Sequence, residues 1–262
     1  MIVIKYGGHA LPETGAVDQA LAMIAKEHLK GKQIVLVHGG GPQINSALEQ
    51  KGLVKEMVGG YRKTTPEIFE VVQEVLSGKV LRAIVNQLIS LGINAVGLSA
   101  ADGEMIRAER MLVEIDGVPT DIGLVGEVVA TNPSLLHSLL TQNYLPVISP
   151  IGVNAKGIGL NLNADLVAGA LGGAMKAQGV LYMTDVDGIY RNWPDESSLI
   201  DSICAAELES LLPTFTEGMI PKVTSALSAL KAGSDAVRIF NGKDLVQLEN
   251  AFNDAGGTLV VP

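Results

Sequence analysis

Short apolar runs recur along the chain: Ile2 to Lys5, Ile34 to His38, Ala95 to Leu98, Leu145 to Ser149, Val180 to Thr184, Val237 to Phe240 and Leu259 to Val261. Several are continuous rather than alternating, as strands buried on both faces are, and stretches of helical period separate them. Val17, Leu21, Ile24 and His28 fall on one helical face, as do Ile68, Val72 and Val75 and, further on, Ile84 and Leu88. Strand and helix in alternation predict an α/β chain with a mainly parallel sheet and crossover helices. From about Glu104 to Val129 the period fades around "DGVPTDIG", and hairpins or lid-like loops are expected there. No proline-, glycine- or serine-rich linker separates independent domains, so two lobes sharing one sheet are expected, joined near Ala174 to Gln178.

Composition removes several classes of function. The 262 residues, 47% of them apolar, suffice for one large domain or two close lobes. Twenty-eight acidic residues against 19 basic ones argue against a phosphate-backbone footprint, so no nucleic-acid partner is expected and an anionic ligand must be held by a few placed cations. The longest uncharged apolar stretch, Leu166 to Met175, is far short of the roughly 20 residues of a membrane span. The single Cys204 cannot form an internal bridge and "MIVIK" lacks the pattern of a secretion signal. A cytoplasmic protein is the expectation.

In "QIVLVHGGGPQIN" the strand Ile34 to His38 runs into Gly39, Gly40 and Gly41, and a helix opens at Pro42. Bare backbone N–H groups at the positive end of a helix let an anion approach closely; a tight turn is the alternative. The device recurs in "IVIKYGG", where Gly7 and Gly8 follow the first strand and Lys5 ends it. Ligands of open α/β sheets bind beyond the carboxyl ends of strands, so both turns can face one crevice. Neither G-x-x-x-x-G-K-[ST] nor G-x-G-x-x-G occurs, and four scattered histidines lack metal-ligand spacing.

Isolated charges supply the remaining candidates. Pro221 opens a helix in "EGMIPKVTSALSAL", which puts Lys222 at the positive end of the dipole, where a bound anion would reverse the penalty and a solvated lysine would bear it. Lys5, beside buried backbone, needs a partner unless it reaches solvent. In "GLNLNADLVAGAL", Asn161 and Asn163 can cap a helix with Asp165 in its first turn; alternatively Asp165 orients two lysines while Asn161 donates to a substrate. Arg62 follows a glycine pair and could clamp a carboxylate with its planar fork, or sit solvated in a loop. The acidic turn Asp185, Val186, Asp187, Gly188 lacks the full calcium-loop pattern and reads as a wall for an adenine ribose or as a surface turn.

Taken together, "IVIKYGG", "VLVHGGGPQIN", "VGLSAADG", "VISPIGV", "NLNAD", "TDVDGIY" and "GMIPK", in this order over nearly the whole chain, resemble the amino acid kinase family. The resemblance implies a three-layer α/β/α sandwich with an open sheet and two lobes. Residues 1–175 would bind an acyl amino acid and form a homodimer, and residues 176–262 would bind ATP. It implies ATP-dependent phosphorylation of a side-chain carboxylate, that of N-acetyl-L-glutamate, with Mg²⁺ held mainly by the phosphates. Carried onto matching positions, Lys5 and Lys222 would stabilise the moving phosphoryl group, Asp165 would orient them, and Gly7 and Gly8 would lie at the phosphate. Gly40 and Gly41 would hold the substrate's reacting end, and Arg62 and Asn161 its other carboxylate. Asp185, Val186, Asp187, Gly188, Ile189, Tyr190, Thr214, Phe215 and Thr216 would line the nucleotide site.

Two departures bear on the substrate. "GYRKTTPEIF" replaces a "GLRVTD"-like run, and "SAADG" has alanine where a lysine is common. Kinases of carrier-linked aminoadipate or glutamate share the machinery and form the second expectation; a catalytically silent amino acid or nucleotide sensor is a third. A first strand at residue 2, with no helix before it, argues against arginine feedback and a hexamer. Any nitrogen-signalling partner stays open.

Overall fold

The computed structural model describes residues 1–7, 18–115, 117–215 and 219–262. Gly8, Val17 and Thr216, singled out above, lie outside the described residues. In chain order the elements are β1 (Ile2–Tyr6), α1 (Gln19–Leu29), β2 (Ile34–His38), α2 (Gly41–Gln50), β3 (Met57–Val58), β4 (Tyr61–Arg62), α3 (Pro66–Gln73), α4 (Leu81–Ser90), β5 (Ala95–Ser99), β6 (Ile106–Ile115) and β7 (Val118–Thr131). There follow α5 (Ser134–Thr141), β8 (Leu145–Ser149), β9 (Ile151–Val153), β10 (Gly159–Asn161), α6 (Ala164–Ala174), β11 (Gly179–Thr184), β12 (Ser202–Cys204), α7 (Ala205–Leu211), α8 (Ile220–Lys231), β13 (Val237–Asn241), α9 (Leu245–Phe252) and β14 (Thr258–Val261).

Eight strands form one sheet in the order β12-β14-β13-β11-β1-β2-β8-β5. All neighbours pair in parallel except β13 with β14. β2 and β8 are buried at every position, the continuous apolar pattern expected of strands covered on both faces. β1 lies at the centre, where β2, β8 and β5 run off to one side and β11, β13, β14 and β12 to the other. The carboxyl end of such a strand is where an open α/β sheet leaves a crevice.

Successive strand side chains point to opposite faces, and "IKY" in β1 uses both. Lys5 meets α6 through Asp165, while the Tyr6 hydroxyl donates to Asp18, whose other carboxylate oxygen caps α1 by accepting from Leu21 N at 3.0 Å. α1 packs against α4 and α9 on its side of the sheet, and α6 packs along α8 on the other. The result is the three-layer arrangement. Its apolar core is continuous, running from Val3, Leu36 and Ile84 through Val167 to Val180, Ile239 and Leu248.

Between α3 and α4 the chain does not break. Residues Glu74–Val80 form a π-helix that joins them into one long rod. An α-period carried on from Val72 and Val75 would turn Lys79 and Arg82 inward; the wider π turn takes up the slack, leaving both exposed while Leu76, Val80, Ile84 and Leu88 are buried. The stretch expected to hold hairpins does so: β6 and β7 pair antiparallel, and with β9 and β10 they close a small barrel.

Candidate active site

A cavity of about 300 Å³ opens at the carboxyl ends of β1 and β2 and is lined by Lys5, Gly7, Gly40, Gly41, Arg62, Asn161 and Asp165. Each of these was a candidate from sequence, and each reaches the cavity by a different local device. Lys5 is the penultimate residue of a central strand and folds back so far that a Cβ on Gly7 would lie 2.2 Å from its Nζ and displace the ammonium. Its ammonium stands 3.0 Å from Asp165 Oδ1, with the two side chains only 12% and 10% exposed.

Asp165 is placed by the start of α6. Asn163 caps that helix, its Oδ1 accepting from Asp165 N at 2.7 Å and from Leu166 N at 3.4 Å. From below, the buried Tyr182 hydroxyl donates to Asp165 O at 3.1 Å, and burial raises that phenol's pKa well above its ordinary value. Asn161 does not share the capping duty expected of it: it lies in β10, and its Nδ2 donates to Thr64 Oγ1 at 3.2 Å. An extended strand residue two places before the cap cannot reach the helix N–H groups.

Arg62 has one nitrogen engaged, Nη2 donating to Asn45 Oδ1 at 2.6 Å, while its buried Nη1 has no hydrogen-bond partner. Burial lowers the guanidinium pKa from its ordinary value. A buried cationic donor left unpaired is costly, and an anion in the cavity relieves that cost. Gly123 fixes the strand behind it: its φ is +81°, and a Cβ there would lie 2.2 Å from Thr64 O. Leu76 and Val80 of the π-helix close the cavity over Gly40, and sequence reasoning missed both; the phase slip after Val75 was the available signal.

A second cavity, of about 520 Å³, takes its walls from Asp185, Val186, Tyr190, Thr214, Phe215 and Lys222 among others. Of the remaining candidates there, Asp187, Gly188 and Ile189 do not face it. Asp187 Oδ1 accepts from Asn241 Nδ2 at 3.0 Å and Gln247 Nε2 at 2.9 Å. A Cβ on Gly188 would meet Thr258 Oγ1 at 2.5 Å, and Ile189 is fully buried with its N–H donating to the same hydroxyl at 2.8 Å. These three brace the wall from behind, a role set by partners more than 50 residues away.

Lys5 and Lys222 therefore line different cavities. Helix packing relates them. A Cβ on Gly169 of α6 would lie 3.0 Å from Ser225 O of α8, and one on Gly173 would lie 2.2 Å from Ala232 Cβ. Both helices thus advance in the same direction, and their first turns, carrying Asp165 and Lys222, sit at the same end of the pair. The two positive helix ends therefore lie on the same side of the pair.

The fold and this cationic, glycine-lined crevice define a phosphotransferase-like α/β protein, and the sequence comparison makes the class definite: the chain belongs to the amino acid kinase family, whose model matches residues 1–241. Acetylglutamate kinases of Corynebacterium efficiens and Corynebacterium glutamicum are 42% and 41% identical to it, over 100% of this chain and 87% and 90% of theirs. Among solved structures, N-acetylglutamate synthase from Neisseria gonorrhoeae, complexed with coenzyme A and N-acetyl-glutamate, superposes with a TM-score of 0.83 at 26% identity. That match covers 100% of this chain but only 59% of the synthase chain.

Proposed function

We propose that the chain is an acetylglutamate kinase, transferring the γ-phosphoryl group of ATP to the side-chain carboxylate of N-acetyl-L-glutamate and forming the acyl phosphate of arginine biosynthesis. One observation carries the reading: a cavity joining the buried Lys5–Asp165 pair to an unpartnered Arg62 nitrogen, in a chain aligned end to end with kinases of this activity. Arg62 and Asn161 grip the substrate's other carboxylate, and Gly40 and Gly41 hold the reacting one by backbone N–H groups. A side-chain carboxylate, with an ordinary pKa of about 4.3, is already an anionic nucleophile at neutral pH, so no general base is called for.

The nucleotide occupies the second cavity, with Lys222 toward its phosphates. Lys5 and Lys222 approach the transferred group from opposite lobes, 1–175 and 176–262, and Asp165 holds Lys5 in place. Alignment and charge neutralisation are then the main sources of rate. A magnesium ion would be carried mainly by nucleotide phosphates and water. When bound, that ion adds charge neutralisation at the phosphates.

Among the described residues β5 is last in the sheet order, and such an edge suits a homodimer formed through the first lobe. No described helix is long and apolar enough to cross a membrane. The direct test is ATP-dependent hydroxamate formation with N-acetylglutamate, glutamate, N-acetylaminoadipate and a carrier-linked glutamate in parallel. N-acetylglutamate should give the highest kcat/KM. Turnover only with the carrier-linked substrate, or with none, would sink the reading.

A further inference from the structure

Trp193 is the chain's one tryptophan, and it stands 58% exposed on the wall of the second cavity, next to Tyr190 and Phe215. A large aromatic ring normally gains by burial, so an indole left open beside two more rings, in a chain only 4% aromatic, needs an explanation. Its ring is held on one side by Tyr190, the centroids 5.1 Å apart and the planes at 62°. The loop that carries it is also fixed. Tyr190 bridges to Leu199, Arg191 N donates to Ser198 O at 2.9 Å, and Asn192 N donates to Ser198 Oγ at 3.0 Å. Arg191 ties the loop to α7 through Glu207 at 2.7 Å. An exposed ring on a braced arm is preorganised to take up a flat partner.

We propose that Trp193 is the stacking plate for the nucleobase of the phosphoryl donor and sets the affinity for it; this rests on reading the second cavity as the nucleotide site. The cavity is polarised in the way a nucleotide requires. Lys222 and the opening turn of α8 supply positive charge for phosphates, and the aromatic wall of Tyr190, Trp193 and Phe215 supplies an apolar surface for a base. Stacking on an aromatic face needs no particular pattern of donors and acceptors, because every base presents a π face. Other purine nucleoside triphosphates should therefore keep much of the affinity of ATP.

The test uses the full chain, with ADP as probe and inorganic tripolyphosphate as the control without a base. ADP should quench the single indole's emission saturably, and tripolyphosphate should not. Trp193→Ala should raise the Kd for ADP, measured by calorimetry, on the order of tenfold, while Trp193→Phe recovers most of the loss. The KM for ATP should rise with it and the KM for N-acetylglutamate should hold. Calorimetric binding of ADP with no change in emission, or an unaltered Kd in Trp193→Ala, overturns stacking and leaves the nucleotide site standing. If ADP gives no heat with the unmodified chain, the nucleotide reading itself fails and stacking goes with it.

Discussion

At the residue scale, side chains in this site are chosen for where charge must be neutralised. In the proposed mechanism Lys5 and Lys222 act on charge that develops during transfer, so Lys5→Ala or Lys222→Ala should lower kcat by about a hundredfold or more with little change in either KM. Steady-state kinetics with both substrates checks this; Lys222→Ala with normal turnover contradicts its role. Arg62 is proposed to grip a ground-state carboxylate, and one ammonium cannot reproduce a two-point fork. Arg62→Lys should accordingly raise the KM for the amino acid and spare kcat. His38, fully buried at the end of β2, bears on stability instead. Burial lowers its pKa from 6.5 to about 4, so the folded chain keeps it neutral while the unfolded chain protonates it as pH falls below 6.5. Its contribution is whole above that pH and shrinks as pH drops toward about 4. Linkage gives a loss of about 1 kcal/mol by pH 5.5. Urea unfolding at pH 7.5 and 5.5 should show that difference narrowing in His38→Leu.

At the element scale, the start of α6 is the joint on which the site turns. Asn163 caps it, Tyr182 braces it and Asp165 leaves it to meet Lys5 across to the central strand. Breaking a buried ion pair from one side strands a charge, so Asp165→Ala should cost about 3 to 5 kcal/mol of stability in urea. The double change Lys5→Met with Asp165→Leu should cost markedly less, although both are inactive. Equal losses would mean that the pair is not buried in solution. Much of this joint was legible in sequence, since helix capping, first-turn acids and strand-end glycines are governed by neighbours a few residues away. Who meets whom was harder. The Lys5–Asp165 pair, 160 positions apart, was open as an alternative and implied by the family resemblance, whereas Asp187 is drawn off the second cavity's wall by Asn241 and Gln247, which no local rule connects to it. The π-helix lay between these cases: Ile68, Val72 and Val75 and, further on, Ile84 and Leu88 were assigned to one face, but the wider turn from Glu74 to Val80 that keeps them there was not.

At the scale of the whole molecule, one sheet is flanked by two cavities. Its strand order reverses direction at β1, and Lys5 leaves that strand to face the first cavity while α6 carries the chain over toward the second. The apolar core runs unbroken through both proposed lobes, so the 1–175 and 176–262 parts should unfold together. Far-ultraviolet circular dichroism, which reports both lobes, and Trp193 emission, which reports the second, should give coincident urea transitions; two separated midpoints would mean lobes that fold independently. A shared sheet with distinct cavities suits the proposed phosphoryl transfer, in which each substrate would be gripped far from the reaction while the reacting ends meet over β1.

The claim on which the rest depends is that a carboxylate oxygen of the amino acid attacks phosphorus. N-acetylglutamate carrying oxygen-18 in its side-chain carboxylate, incubated with ATP and trapped with hydroxylamine, tests it by phosphorus NMR. Hydroxylamine attacks the acyl carbon and expels the bridging oxygen with the phosphate, so the released phosphate should carry one heavy oxygen. ATP consumption that yields only unlabelled phosphate would contradict the mechanism at its first bond.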